Sequence, residues 1–313
     1  LDQMRTLDAE YLVPSHTGFL PGRDQIAETL TAYRDAIQFV HDQTVRGMNA
    51  GLMPDEIAAA VELPPPLAQH PYLKEVYGTV AWSVRGIFHG YLGWFSGDAA
   101  ELDPASRSER ATAMVELAGG RAALLKAARE KLDAGQYSLA AEFAGHLVAL
   151  DDNHREAREL RHDAFRALAD ASTSANARHY YLTSALESLG ALTVEGAPTI
   201  DERVRALIYS IPIENFLAAM PTRLNPSASA NKAMTAAFYF RDTDQHFGIH
   251  VRQGVAEFEY GAPQAPDVSV VTSTDVWRRI VLRERNLAVA LARGELAVEG
   301  GAPALVEFLR MFR

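Results

Sequence analysis

Apolar positions recur every three to four residues along most of this chain and every two only in one stretch beyond residue 230. Ile26, Leu30, Tyr33, Ile37, Val40, Thr44, Val45 and Met48 keep helical spacing. Asp24 stands where an N-cap belongs, and Asn49-Ala50-Gly51 is a left-handed stop. The spacing therefore predicts a helix of about seven turns at ~1.5 Å per residue. Pro54-Asp55-Glu56 opens a second, short helix with Ile57 and Val61 inward, and Leu63-Pro64-Pro65-Pro66 follows as an extended connector. From 108 to 190 helix follows helix: 111–117, 122–134, 137–150 and 155–173, with stops at Gly119-Gly120 and Gly135.

The sequence Ala127, Gly135, Tyr137, Ala140-Ala141, Leu147, Ala157 has the spacing of a tetratricopeptide-like helical hairpin. One such unit is too few for a solenoid. At 191–199 the composition turns linker-like, and Thr199 or Asp201 is placed to cap a helix running through Ile208. After a polar loop at 225–231, the period switches to two. Residues 234–241, 246–252, 255–260 and 268–272 read as strands, the middle two joined by the tight turn Gln253-Gly254. Thr274 or Asp275 caps a helix bearing Val276, Trp277, Ile280 and Val281. A helix at 287–292, a strand at 294–298 and an amphipathic helix at 303–312 complete an α+β module.

Residues 1–23 are too short to bury a core of their own and are expected to complete a domain whose remainder lies outside this chain. Tyr11-Leu12-Val13 reads as a short buried strand stopped by Pro14, with His16 in the Gly/Pro-rich loop that follows. A histidine so held is either an ordinary loop residue or a metal ligand. Residues 72–95 are dense in aromatics that do not share one stripe, which predicts a helix covered on more than one side. It is either a core helix between layers or a helix serving an apolar pocket and a subunit interface. His41, Asp42, Gln43 and Arg46 crowd one turn of an otherwise apolar helix, and Asp42 and Arg46 have i,i+4 spacing for an ion pair. Such a cluster reads as an inter-helix hydrogen-bond network or as support behind a metal or substrate site.

Composition narrows the chemistry. The 313 residues carry a net charge of −10, with no Lys/Arg cluster to meet phosphates, so no nucleic-acid partner is expected. There is no cysteine, so any metal must use His and carboxylates. No run of about 18 apolar residues is present to span a membrane. The chain begins at Leu1, which is read as the interior of a longer protein; bacterial cytoplasm and periplasm both stay open as compartments. His-x-His, His-Glu-x-x-His, Gly-x-Ser-x-Gly, P-loop and dinucleotide motifs do not occur, and one histidine does not make a zinc site.

A series of motifs in fixed order changes this picture. Val13-Pro14-Ser15-His16-Thr17 comes first, followed by Tyr33-Arg34-Asp35-Ala36-Ile37, His41-Asp42-Gln43-Thr44-Val45-Arg46 and Asn49-Ala50-Gly51-Leu52. Tyr77-Gly78-Thr79, Tyr91-Leu92-Gly93-Trp94-Phe95, Ala118-Gly119-Gly120 and Arg178-His179-Tyr180-Tyr181-Leu182 continue it. Together they closely resemble the alkyl sulfatases of the metallo-β-lactamase superfamily.

The resemblance implies a multidomain, mainly α chain. Residues 1–23 would be the end of a zinc-binding αββα domain, 24–190 a helical dimerisation domain, 191–199 a linker and 200–313 a sterol-carrier-protein-like α+β domain. It further implies hydrolysis of alkyl sulfate esters to alcohol and sulfate, two Zn2+ per full-length subunit, a homodimer and an apolar substrate. His16 matches the family's last zinc-ligand histidine; the other ligands have no counterpart in this chain, which alone is expected to be inactive. His41, Asp42 and Arg46 are candidates for a supporting network, and Tyr77, Trp82, Arg85 and Trp94 for the substrate pocket. Where many members that cleave primary alkyl sulfates have His-Asn, this chain has Trp82-Ser83, which leaves the acid group of the reaction unassigned. The competing readings are a non-catalytic dimeric lipid-binding or scaffold protein, and a hydrolase of another ester on the same fold.

Overall fold

The computed structural model describes residues 1–192 and 202–312, which fall into two compact units divided at Val194/Glu195. The linker expected at 191–199 and the caps expected at Thr199 or Asp201 lie largely outside the described residues.

The first unit opens with α1 (Asp2–Arg5) and a two-residue antiparallel pair, β1 (Tyr11–Leu12) with β2 (Leu20–Pro21). The strand expected at 11–13 is present but not buried: Tyr11 and Val13 are 65% and 78% exposed, since only Leu12 turns inward, toward Leu20, Ile26 and Leu30. The long helix α2 (Arg23–Asn49) starts one residue before Asp24. Gly22 occupies the cap position, while the Asp24 carboxylate sits in the first turn, where the positive end of the helix dipole favours it. Gly51 at φ 75° supplies the left-handed stop.

Helix α3 (Pro54–Ala60) is opened by Glu56, whose Oε2 accepts the Met53 amide at 2.8 Å. The Pro-rich stretch expected to be extended instead turns once as α4 (Pro65–Ala68), because prolines are tolerated in a first helical turn. A 3-10 turn, Pro71–Leu73, leads to α5 (Val80–Leu92), which Thr79 caps by accepting the Trp82 amide at 3.1 Å. Val40, Ile57, Val84 and Phe88 form the core of α2, α3 and α5. The approach of α2 to α3 depends on Gly47: a Cβ there would stand 2.8 Å from Ile57 Cγ1.

The aromatic segment differs from expectation. Only residues 80–92 of it are helical, ended by Gly93 at φ 77°. Of its aromatics Phe88 alone is buried, while Tyr77, Trp82, Tyr91 and Trp94 are all exposed. The expected coverage on more than one side is not provided within this unit.

Five helices follow: α6 (Arg107–Leu117), α7 (Arg121–Asp133), α8 (Tyr137–Leu150), α9 (Arg155–Ala171) and α10 (Ala175–Ser188). Their contacts are built on fully buried small residues, Ala128, Ala140, Ala144 and Ala164, which let the backbones approach closely. The turn into α10 is tied back to the segment before α5. The Ser174 hydroxyl donates to the Tyr77 carbonyl at 2.6 Å, and the Ala175 amide to the Val76 carbonyl at 2.8 Å.

The second unit is α+β. Helices α11 (Glu202–Ser210), α12 (Ile213–Ala218) and α13 (Pro226–Ser229) precede β3 (Ala233–Phe240), β4 (Gln245–Arg252), β5 (Val255–Tyr260) and β6 (Val268–Thr272). Helix α14 (Thr274–Val281), α15 (Leu287–Ala292), β7 (Ala297–Glu299) and α16 (Ala302–Arg310) complete it. The sheet order is β5-β4-β3-β6-β7, antiparallel except for the parallel β3–β6 pair. Gln253 and Gly254 both take positive φ, 52° and 76°, the requirement of the tight β4–β5 turn. Alternate residues, among them Phe238, Phe240, Phe247, Ile249 and Val270, line one buried face of the sheet. Trp277 of α14 packs edge-on to Phe238 at 4.9 Å, and Phe308 of α16 joins them. Ser273, rather than Thr274 or Asp275, caps α14.

Candidate functional site

Helix α2 and helix α5 lie against each other, and what they enclose with the 71–79 segment is a groove of about 500 Å³. Tyr33, Ile37 and Val40 form one stripe on α2, and Val80, Ser83 and Ile87 face them from α5. Leu63 and Leu73 close the ends of an otherwise apolar wall. At the rim Glu75 Oε1 accepts the Val80 amide at 2.5 Å and Thr79 caps α5, while Lys74 adds one cationic side chain to the lining. The groove therefore presents aliphatic surface, suited to a hydrocarbon chain.

Beside its Gly78–Thr79 edge stands Tyr77, with the ring of His16 packed on it at 4.8 Å between centroids. The structure thus brings together two residues expected to matter, 61 positions apart in sequence (77 − 16). His16 itself is exposed. Among the described residues no group of three or more His, Asp or Glu is arranged to hold a metal ion, so they do not by themselves form a zinc site.

The polar turn of α2 forms a chain of hydrogen bonds. Gln38 Nε2 donates to Asp42 Oδ1 at 2.6 Å, and the same oxygen lies 2.9 Å from His41 Nδ1. With Asp42 ionised, Nδ1 is the donor to it, and Nε2 lies 2.8 Å from the Tyr91 hydroxyl. The hydrogen bond from His41, with that from Gln38, holds the Asp42 carboxyl below the ordinary carboxylate range. The inter-helix network expected of this turn is present. The Asp42–Arg46 pair is not: Asp42 is occupied by His41 and Gln38, and Arg46 is exposed with no ion-pair partner among the described residues.

The other expected pocket residues fall elsewhere. Trp82 and Arg85 lie on faces of α5 turned away from Val80, Ser83 and Ile87, and Arg85 is held by Asp55 of α3 at 2.8 Å. Trp94, past the end of α5, stacks edge-on with Phe95 and is 69% exposed. None of Tyr77, Trp82, Arg85 and Trp94 lines the groove. Among the residues that do, Tyr33 and Ile37 stood in the sequence within a helical period and a motif, and Ser83 within the Trp82-Ser83 pair, none of which marks a groove wall.

Comparison with known proteins bears on this arrangement directly. Residues 53–190 match the family described as alkyl sulfatase dimerisation, and residues 203–313 that described as alkyl sulfatase C-terminal. The chain carries both alkyl sulfatase domains. A linear primary-alkylsulfatase of a Pseudomonas strain is 37% identical over 100% of this chain and 60% of its own length. An (R)-specific secondary-alkylsulfatase, also from Pseudomonas, is 31% identical over 96% of this chain and 45% of its own. Among solved structures, the stereoselective inverting sec-alkylsulfatase Pisa1 from Pseudomonas superposes with a TM-score of 0.89 at 30% identity, over 97% of this chain and 48% of that one. The chain thus spans about half the length of the alkyl sulfatases it resembles. The mainly helical architecture with a following α+β unit is as the motifs implied, and no helix of the described residues is long and apolar enough to cross a membrane.

Proposed function

We propose that this chain is the C-terminal portion of a zinc-dependent alkyl sulfatase that hydrolyses alkyl sulfate esters to alcohol and sulfate. The observation that carries the proposal is similarity along the whole chain to alkyl sulfatases about twice its length. In this reading His16 is the one zinc ligand this portion contributes, and Tyr77 positions its ring. The remaining ligands belong to residues outside this chain. Two zinc ions, when bound, would supply an activated water and offset charge on the sulfate oxygens.

The residues of this chain then have supporting tasks. The groove between α2 and α5 receives the apolar tail, excluding water from it. The exposed aromatics Trp82, Tyr91 and Trp94 meet a partner surface, in keeping with a homodimer. The α+β unit, expected to be sterol-carrier-like, binds or delivers apolar chains. Trp82 in place of a histidine means that the leaving alcohol is protonated by another group, and it leaves primary and secondary esters both admissible as substrates.

The test is metal content and sulfate release from dodecyl sulfate by the longer protein. Zinc together with sulfate release is expected; a protein with neither would overturn the proposal. The groove also supports a second reading, a dimer that holds an apolar ligand without catalysis. Mass spectrometry of an extract of the purified chain separates the two: retained lipid without any sulfatase activity in the longer protein favours this second reading.

A further inference from the structure

Helices α8, α9 and α10, which share no residue with the α2–α5 groove, enclose a second cavity of about 280 Å³. Two arginines one turn apart on α9, Arg158 and Arg161, project into it, and Ser184 of α10 lines the opposite wall. Neither guanidinium is held in an ion pair among the described residues, although the carboxylates of Asp152 and Glu187 share the lining. Arg158 spends its Nε on the Ser188 carbonyl at 2.6 Å and one Nη on the Asp152 carbonyl at 3.3 Å, both uncharged acceptors. Arg161 lies with its Cζ 5.0 Å over the Phe165 ring, and its Nε is buried with no hydrogen-bond partner.

A buried guanidinium donor left unmet is costly, about 1–3 kcal/mol for the missing acceptor, and an arginine cannot escape that cost by losing its proton. Burial above all, and Arg107 nearby, press against the charge of Arg161, while Glu187 supports it. Asp152 and Glu187 also line the cavity, yet neither forms an ion pair with Arg158 or Arg161. The Ser188 hydroxyl is directed back to the Ser184 carbonyl at 2.7 Å, whereas the Ser184 hydroxyl has no hydrogen bond among the described residues. The cavity thus offers two fork-shaped cationic donors and one hydroxyl, converging from different helices. That arrangement suits a tetrahedral oxyanion better than a planar carboxylate, and the space admits such an ion together with a few waters at ~30 Å³ each.

We propose that the α8–α9–α10 cavity is a binding site for a tetrahedral oxyanion of the sulfate or phosphate type, held by Arg158, Arg161 and Ser184. The site is independent of the proposed hydrolysis and stands whether or not the longer protein is a sulfatase. Its source is either the free inorganic ion or the head group of a small organic ester.

The experiment titrates the 313-residue chain with sodium sulfate and, separately, sodium phosphate against sodium chloride at matched ionic strength, following melting temperature and heat of binding. A saturable rise in melting temperature with either oxyanion, absent in chloride, is expected. Arg161→Leu should abolish it, and Arg155→Gln, which breaks only an exposed i,i+4 pair on the same helix, should leave it intact. Should Arg161→Leu fail to fold, Ser184→Glu keeps both arginines, places a carboxylate in the cavity and should weaken binding by about tenfold or more. Methyl sulfate binding tighter than inorganic sulfate assigns the site to an ester head group; equal or weaker binding assigns it to the free ion. No saturable response to any of these anions, or an equal response in Arg161→Leu and Ser184→Glu, overturns the proposal.

Discussion

The Tyr91 hydroxyl on α5 reaches His41 Nε2 on α2 at 2.8 Å, joining the two helices whose opposed faces form the apolar groove. This bond sits at the solvent-facing end of their contact, so its own contribution is modest while its geometric effect is local. Tyr91→Phe is expected to lower stability by about 0.5–1 kcal/mol, the low end for a hydrogen bond, since both groups regain water. Chemical-shift or exchange changes should concentrate at 38–42 and 88–92. A loss above about 2 kcal/mol would mean the pair is more than a surface tie.

Gly47 should not accept a side chain. Gly47→Ala gains helix propensity of up to about 1 kcal/mol but drives a methyl against Ile57, which is 1% exposed and cannot retreat. A net destabilisation of about 1–2 kcal/mol in denaturant unfolding is expected. Ile57→Ala in the same chain removes Cγ1, Cγ2 and Cδ1 and should give a favourable coupling with Gly47→Ala in a double-mutant cycle.

Asp242 should contribute to the acid sensitivity of the second unit. Burial pushes its carboxyl up, but the Thr274 hydroxyl at 2.7 Å and amide at 3.0 Å outweigh that and hold it below the ordinary carboxylate range. A group whose folded value is depressed stabilises the fold above its unfolded value of about 3.9 and loses that contribution as pH falls through the folded value. Asp242→Asn should therefore flatten the acid limb of the stability profile below pH ~4 and change little between about pH 6 and 8. An unaltered acid limb would rule out this residue as its source.

Ile37 is 59% exposed, so a charge there is compatible with folding but not with an apolar ligand in the groove. Ile37→Asp should leave the melting temperature within about 2 °C and weaken binding of an apolar fluorescent probe by at least about tenfold. Retained affinity would place apolar binding outside the α2–α5 groove.

Much of this molecule was legible in the sequence because its elements are locally specified. Gly51 and Gly135 end helices where they fall in the chain, and the period-two runs at 255–260 and 268–272 are strands to the residue. What sequence could not give is which face of a helix meets what. Ile37 occupies the same period as Ile26 and Leu30, yet it walls a groove at 59% exposed while the other two sit in a core. Asp42 and Arg46 had the spacing of a pair, but the competing donors His41 and Gln38 are closer. Arg158 and Arg161 look like any amphipathic helix edge until α8 and α10 close over them.

The bonds from Ser174 and Ala175 to the carbonyls of Tyr77 and Val76 span 97 and 99 residues of sequence (174 − 77 and 175 − 76). Because closing such a span is entropically costly until the helices between have packed, the segment that holds Tyr77 against His16 is expected to be set after α6–α9. On a ribosome, the neighbourhood of His16 would thus stay open until the chain had been made past residue 175.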